Sequence, residues 1–326
     1  MGRTALITGG TGFVGGHLAE RLTAAGWRVR ALARAGSDTA RLRALGAELV
    51  TGSLDDAGAI AKGAGGADTV FHLAAATTAP SEAEFRKINA EGTRNVARGV
   101  LRAGPRPRRL VYLSSYAACG PADGGRPRRM DDPPHPLTAY GRSKLEGEEA
   151  AREAAGAGVE LLVLRAPAVY GPGDRAFLPV YRLVKRSLAT IPTGPERRLH
   201  LIYVHDLVEA LVRAADAPPG TFAVAEPVEH TMPALTAEIG RALGTRPRRV
   251  PVPAALLRAA GALAERFGGV VGGAGVFSRE KAEEMLADAW VCDLAGSEAL
   301  LPPDQVTPLA AGTAETARWY RTQGWL

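Results

Sequence analysis

The sequence predicts an α/β protein, a doubly wound parallel sheet carrying a second, smaller and mostly helical domain. Three observations predict it. Across residues 1–170, short apolar β-rich runs alternate with longer Ala-rich runs of helical period, the pattern of a parallel sheet covered on both faces. A glycine-rich stretch, Gly9-Gly10-Thr11-Gly12-Phe13-Val14-Gly15, follows the first β-rich run directly. After Tyr170-Gly171-Pro172-Gly173 the alternation loosens into helical and Pro-rich segments.

In order, strands are expected at Ala5–Thr8, Val29–Ala33, Glu48–Thr51, Thr69–Leu73, Leu110–Ser114 and Glu160–Arg165. The intervening segments Phe13–Ala25, Asp38–Leu45, Asp56–Lys62, Glu82–Leu101 and Ala139–Ala155 repeat apolar positions at helical spacing. Beyond them the spacing predicts a helix over 174–190, a strand at His200–Val204, a helix at Asp206–Ala215 and a last strand at Thr221–Ala225. From 227 onward helices alternate with Pro-rich turns such as Arg246-Pro247-Arg248-Arg249-Val250-Pro251-Val252-Pro253. The expected division is residues 1–170 with 199–226 for the sheet domain, and 171–198 with 227–326 for the second.

The 326 residues, 46% of them hydrophobic, suffice for a sizeable core. No apolar run reaches the roughly 18 residues of a membrane span, and no export signal precedes the first strand. The expectation is a soluble cytoplasmic protein with no membrane partner. Cys119 and Cys292 are the only cysteines and form no C-x-x-C pair, so neither a disulfide scaffold nor a metal site is expected. Lys and Arg number 40 against 34 acids, giving +6. The arginines are scattered among prolines without interleaved aromatics, which argues against nucleic acid and suits an anionic small ligand.

Gly9, Gly12 and Gly15 stand at G-x-x-G-x-x-G spacing between a strand and a helix. Such glycines permit the tight turn, the approach of a pyrophosphate and close helix–strand packing, while the helix N-terminus faces the anion. A plain tight turn is the other reading; placement in the first βαβ unit favours a Rossmann dinucleotide site, with Thr11, Phe13 and Val14 in its loop. At the tip of the second strand, where a carboxylate would hold the ribose 2′-OH of NAD, the chain has Ala33-Arg34-Ala35. Arg34 is placed to fork onto a 2′-phosphate, so NADP(H) is favoured over NAD(H). An ordinary exposed arginine is the alternative.

Three further patterns follow: Ser114-Ser115 at the end of the fifth strand, Tyr140-Gly141-Arg142-Ser143-Lys144 opening a helix, and Arg165-Ala166-Pro167-Ala168-Val169-Tyr170 after the sixth strand. Tyr140 and Lys144, four apart, project from one helical face. A lysine ammonium roughly 4 Å from a phenol would stabilise the phenolate by about 4 kcal/mol and bring its pKa near 7. Ser115 would hold a substrate oxygen while Tyr140 trades the proton. Singly, Tyr140 and Lys144 read as a helix-surface pair and Ser115 as a strand-end cap.

Together with Phe71-His72-Leu73-Ala74-Ala75, Asn89-Ala90-Glu91-Gly92-Thr93, Tyr170-Gly171-Pro172 and Tyr203-Val204-His205-Asp206-Leu207, the chain resembles the extended short-chain dehydrogenase/reductase family over nearly its whole length. The resemblance implies Ser115, Tyr140 and Lys144 as the catalytic set, with Lys144 also on the nicotinamide ribose. It implies Leu73, Ala74 and Ala75 along the cofactor diphosphate and ribose, and Pro167, Ala168 and Val169 beside the nicotinamide amide. Asn89 would stabilise its helix or a proton-relay water, or be a buried structural amide. It also implies a homodimer through the helices near 82–101 and 139–155.

Several residues depart from the family pattern. Ser53 stands where an Asp often contacts the adenine, leaving that contact to Ser53 or the backbone of Leu54. Tyr116-Ala117 replace the Asp-Glu of sugar dehydratases, and Cys119 replaces a Tyr of the sugar-nucleotide branch. The expectation is therefore an NADP(H)-dependent oxidoreductase moving hydride between nicotinamide and a carbonyl or secondary alcohol of a small organic substrate. The alternative is a nucleotide-sugar epimerase with retained NAD(P), and a third reading is a non-catalytic dinucleotide sensor. Arg197 or Arg198 is a candidate for a substrate phosphate, with a solvated loop pair as the other reading. The apolar segment 254–277 is a candidate lid for a hydrophobic substrate, with core packing as its alternative.

Overall fold

The computed structural model of the chain describes residues 2–122, 125–267 and 278–326. The six apolar runs of the first half become β1 (Thr4–Thr8), β2 (Arg28–Ala33), β3 (Glu48–Thr51), β4 (Thr69–His72), β5 (Arg109–Ser115) and β6 (Glu160–Ala166). The helices among them are α1 (Phe13–Ala24), α2 (Ala40–Ala44), α3 (Ala57–Ala64), α4 (Glu82–Phe85), α5 (Gly92–Arg102), α6 (Tyr116–Cys119) and α7 (Ala139–Ala155). Every pairing of these strands is parallel, in spatial order β3-β2-β1-β4-β5-β6. The order reverses between β1 and β4, where an open α/β sheet leaves a crevice at its carboxyl edge.

The central strands β1, β4 and β5 are buried on both faces because both are covered. Ile7, Phe71 and Val111 pack under Leu18 and Leu22 of α1. Their neighbours Leu6, Val70 and Leu110 pack under Ile60 of α3, Val96 and Val100 of α5, and Ala151 of α7. Burying one such leucine or isoleucine contributes about 1.5–3 kcal/mol, so the two-sided pattern fixes the layers.

The helix expected over 82–101 is divided. Between α4 and α5, residues Arg86–Glu91 form one π-helical turn. The widened turn lets Asn89, which is buried, reach the backbone of Ala76 and the Ser143 hydroxyl. Gly92 opens α5 because Leu54 lies against it: a Cβ there would stand 2.9 Å from Leu54.

The remaining elements are β7 (Ala168–Tyr170), α8 (Leu178–Lys185), β8 (Leu188–Pro192), β9 (Arg198–Leu199), β10 (Leu201–Tyr203), α9 (Val204–Ala214), β11 (Gly220–Ala223), β12 (His230–Thr231), α10 (Met232–Leu243), β13 (Arg248–Val252), α11 (Ala254–Phe267), α12 (Arg279–Leu286), β14 (Ala289–Trp290) and α13 (Leu309–Thr322). β11 joins β6 as the seventh parallel strand, whereas β10 pairs only with β7. α9 lies beside α1, with Leu207 and Leu211 in the same core.

The single helix expected over 174–190 is instead α8 followed by β8. The Asp174 carboxylate accepts from the amides of Ala176 and Phe177 and so delays the helix start, and Ser187 at φ 61 ends the run. The Pro-rich stretch 246–253, expected as turns, supplies β13, which pairs in parallel with β8. Pro251 is tolerated there because a two-stranded ribbon leaves each strand a free edge. Tyr170, Tyr181, Tyr203, Leu235, Ile239 and Tyr320 form a separate apolar cluster beneath α8, α10 and α13.

Candidate active site

The loop after β1 is shaped by its own main chain. Gly9 has φ +79°, and a Cβ on it would stand 2.6 Å from the Ala74 amide nitrogen. A Cβ on Gly15 would stand 2.1 Å from the Gly9 carbonyl oxygen. The loops after β1 and β4 therefore touch at the crevice, and only glycine permits it. Gly12 caps α1 without a side chain, which leaves the first-turn amides of Phe13, Val14 and Gly15 to face an anion. Thr11 is exposed and Phe13 and Val14 are half-buried. Leu73 and Ala74 are tied to Thr8, the former to its carbonyl at 3.1 Å and the latter to its hydroxyl at 3.4 Å. Ala75 follows, exposed.

Arg34 comes directly after β2, exposed and in no ion pair among the described residues. Arg41 nearby differs, since Glu20 holds it through contacts of 2.6 and 2.7 Å. Ser53 accepts the Asp55 amide at 3.1 Å, and Leu54 is spent on Gly92. Pro167, Ala168 and Val169 run past the ends of the strands, Ala168 and Val169 pairing with Leu201 and Ile202.

Ser115 ends β5. Its hydroxyl accepts the Ala117 amide at 3.2 Å, capping α6, and lies close enough to the Tyr140 phenol to favour its ionised form. The strand-end cap and the phenol's neighbour are thus one residue. Thr138 caps α7 by accepting the Gly141 amide at 3.0 Å, which sets Tyr140 and Lys144 on the helical face turned to β5. Among the described residues Lys144 makes no hydrogen bond to the phenol. Its Nζ donates to the Leu113 carbonyl at 2.8 Å and lies 4.2 Å over the Tyr112 ring.

The electrostatics correct the expectation of a phenol brought near 7. Burial pushes Tyr140 up to about 12, and the nearby Ser115 hydroxyl opposes it without prevailing. Burial likewise pulls Lys144 down to about 7, against the raising effect of Glu148. Removing both groups from water costs more than any attraction between them returns. His72 is held neutral for the same reason, pulled down to about 3, and bridges Thr8 at 2.6 Å and Thr93 at 2.9 Å.

Asn89 is a brace. Its amide donates to the Ala76 carbonyl at 2.9 Å and the Ser143 hydroxyl at 2.9 Å, and accepts the Ala76 amide at 2.8 Å. It thereby joins the loop after β4 to the helix of Tyr140.

Sequence reasoning missed two residues around this cluster. Glu148, fully buried, receives the Ser114 hydroxyl at 2.6 Å and Arg165 at 2.9 and 2.8 Å. Its position four beyond Lys144, on the Tyr140 face, was the available signal. Glu280 of α12 accepts the Ala139 amide at 2.6 Å and Arg142 at 2.8 Å, tying α12 to the first turn of α7. No sequence signal marks that contact.

Arg197 and Arg198 are both engaged within the chain. Arg197 donates to the carbonyls of Leu286 and Pro195, and Arg198 pairs with Glu229 at 2.7 Å. Cys119 and Cys292, distant in sequence, are buried free thiols 3.9 Å apart. Of the candidate lid, residues 268–277 lie outside the described residues, while 254–267 form α11. No described helix is long and apolar enough to cross a membrane.

The profile of the NAD dependent epimerase/dehydratase family matches residues 5–225. The chain belongs to that family. This agrees with the likeness to extended short-chain dehydrogenases/reductases and makes the protein, at family level, a nicotinamide-dependent enzyme of the reductase–epimerase kind. The family member is 31% identical to a ceramide reductase of Caulobacter vibrioides over 98% of this chain and 95% of that one. It is 33% identical to a 4-hydroxy-2-methyl-3-oxo-4-farnesyl-3,4-dihydroquinoline-1-oxide ketoreductase of Stigmatella aurantiaca over 66% of this chain and 65% of that one. Its fold is shared by the UDP-glucose 4-epimerase of Thermus thermophilus, solved in complex with NAD, at a TM-score of 0.76 and 21% identity, covering 98% and 99% of the two chains.

Proposed function

We propose that this protein is an NADP(H)-dependent reductase of a carbonyl on a lipophilic substrate. The observation that carries the reading is the placement of Ser115, at the end of β5, close to the Tyr140 phenol at the carboxyl edge of the sheet, beside the crevice that Gly9 and Gly15 open. The residues present fit a dinucleotide. The glycine loop has room for a pyrophosphate where a Cβ would not fit, α1 offers uncapped amides, and Arg34, unpaired among the described residues, follows β2, from where it would meet a 2′-phosphate. Leu73, Ala74 and Ala75 would line the diphosphate side, Ser53 and Leu54 the adenine side, and Pro167, Ala168 and Val169 the nicotinamide side.

When bound, the nicotinamide supplies or removes a hydride. The protein's part is the proton. A phenol held near 12 stays protonated at neutral pH, the state needed to donate to an oxygen that gains negative charge as a carbonyl is reduced. Ser115 would orient that oxygen. Lys144, whose Nζ donates to the Leu113 carbonyl, would hold the nicotinamide ribose, and Asn89 acts as a positioning residue. The names of the ceramide reductase and the farnesyl-quinoline ketoreductase support a lipophilic ketone over a nucleotide sugar, as do the Tyr116-Ala117 and Cys119 departures.

The test is a panel of long-chain ketones and UDP-glucose assayed with NADPH and NADH. Net NADPH consumption on long-chain ketones, lost in Tyr140→Phe, supports the reading. Interconversion of UDP-sugars without net nicotinamide consumption favours the epimerase, and no turnover on any member overturns the reductase.

A further inference from the structure

We infer that Arg142 is a positioning residue for Tyr140, holding the phenol in place by joining α4 to α12 around the first turn of α7. The inference rests on the reading of Tyr140 as the proton donor, and adds a residue that acts through it. The Arg142 guanidinium forks onto Glu82 of α4, Nε donating to Oε1 at 2.7 Å and Nη2 to Oε2 at 3.0 Å. Nη2 also donates to Oε1 of Glu280 in α12 at 2.8 Å. Glu280 spends its other oxygen on the Ala139 amide at 2.6 Å. That amide opens α7 and has no partner within its own helix, and it belongs to the residue directly before Tyr140.

Both sides of this turn reach Tyr140. Phe85, three residues after Glu82 in α4, sets its ring 6.0 Å from the Tyr140 ring at 58°. α4 therefore bears on the phenol ring and α12 on the backbone beside it, and Arg142 ties the two together. Among the described residues, both hydrogen bonds between α12 and α7 run through Glu280. The α4 side has a second tie that does not reach α12: Arg86, next in the chain, pairs with Glu146 of α7 at 2.8 Å. The chemistry selects arginine, because a planar fork serves both oxygens of one carboxylate and still offers an N–H to another, which a point-charge ammonium does not. The Arg142, Glu82 and Glu280 side chains are 35%, 49% and 39% exposed, so water screens them and the pairs add little stability. Their effect is geometric. Proton transfer needs the phenol within hydrogen-bond reach of the substrate oxygen, and a misplacement of about 1 Å can slow a reaction about a hundredfold.

The test compares Arg142→Ala, Glu82→Ala, their double variant and Arg86→Ala by steady-state kinetics on the long-chain ketones and by amide hydrogen exchange. Arg142→Ala should lower kcat by about 10- to 100-fold. Its NADPH affinity should stay within about twofold of the parent, and its melting temperature within about 3 °C. Glu82→Ala should lower kcat as well, and the double variant should be no slower than Arg142→Ala, because the two residues act as one unit. Arg86→Ala, which breaks an exposed pair outside the clamp, should keep kcat within about twofold. In Arg142→Ala the amides of residues 139–142 and of α12 should exchange faster, while those of β1 and α1 keep the parent's rates. Parent-like kcat in Arg142→Ala, additive losses in the double variant, an equal loss in Arg86→Ala, or a kcat loss matched by lost NADPH affinity overturns the inference. The exchange measurement needs no substrate. Faster exchange at these amides in a protein that reduces no ketone would leave the clamp standing and sink the reductase. Unchanged exchange with an active parent would sink the clamp alone.

Discussion

The glycine cradle and the proton-transfer cluster lie along the same edge of one sheet, separated by β4, yet they are built differently. The cradle is steric: Gly9 and Gly15 leave room that any Cβ would remove, and the main chain alone defines it. The cluster is electrostatic: Ser115, Tyr140 and Lys144 are brought together by β5 and α7, and burial sets their protonation. The first region can fail only by changing shape, while the second can fail with its shape intact.

That contrast is sharpest in two substitutions. Tyr140→Phe removes a proton donor and little volume. Turnover should fall by about 10²–10⁴-fold while NADPH affinity, read by fluorescence titration, holds within about twofold. Equal losses in both would mean that the phenol shapes the crevice. Gly15→Ala should do the opposite. A methyl placed 2.1 Å from the Gly9 carbonyl forces the loop or α1 to move, costing about 1–3 kcal/mol of stability and at least about tenfold in dinucleotide affinity. A variant that binds NADPH like the parent would break the steric account.

Lys144 tests the electrostatic half through pH. Its folded value near 7 lies below the ordinary 10.5, so between those values the unfolded chain holds more protons. Stability should therefore rise with pH across that window, by at most about 1.4 kcal/mol per unit, and show the full cost below pH 7. Tyr140, raised from 10.0 to about 12, opposes this only above pH 10, where the unfolded phenol ionises first. Urea unfolding of the parent and Lys144→Met from about pH 7 to about pH 10 should show the slope in the parent and its reduction in the variant. Parallel curves would place the ammonium in water.

The sheet was legible because its signals are local. Ile7 and Leu6 face opposite layers, and the glycines stand beside the strand they serve. α7 was legible because Tyr140 and Lys144 stand four apart within a run of helical period. What escaped depends on distant partners. The π-helical turn at Arg86–Glu91 comes with Asn89 bracing Ala76 and Ser143, and β13 exists because β8 lies beside it. The protonation of Lys144 escaped for the same reason: spacing supplied Tyr140 as its neighbour, whereas the fold supplied Leu113, Tyr112 and a dry surrounding.

Arg34 carries the smallest expected effect and the finest distinction. It is exposed and unpaired among the described residues, so Arg34→Ala should leave stability within about 0.5 kcal/mol. If its guanidinium meets the 2′-phosphate, the variant loses a charge-assisted contact and NADPH affinity falls about tenfold or more. NADH, which lacks that phosphate, should bind parent and variant alike. The ratio of the two affinities is the informative quantity, because a general loosening of the loop lowers both together. A ratio unchanged by the substitution would assign the cofactor preference elsewhere. A ratio favouring NADH in the parent would show that a cation at the tip of β2 does not by itself select the phosphate.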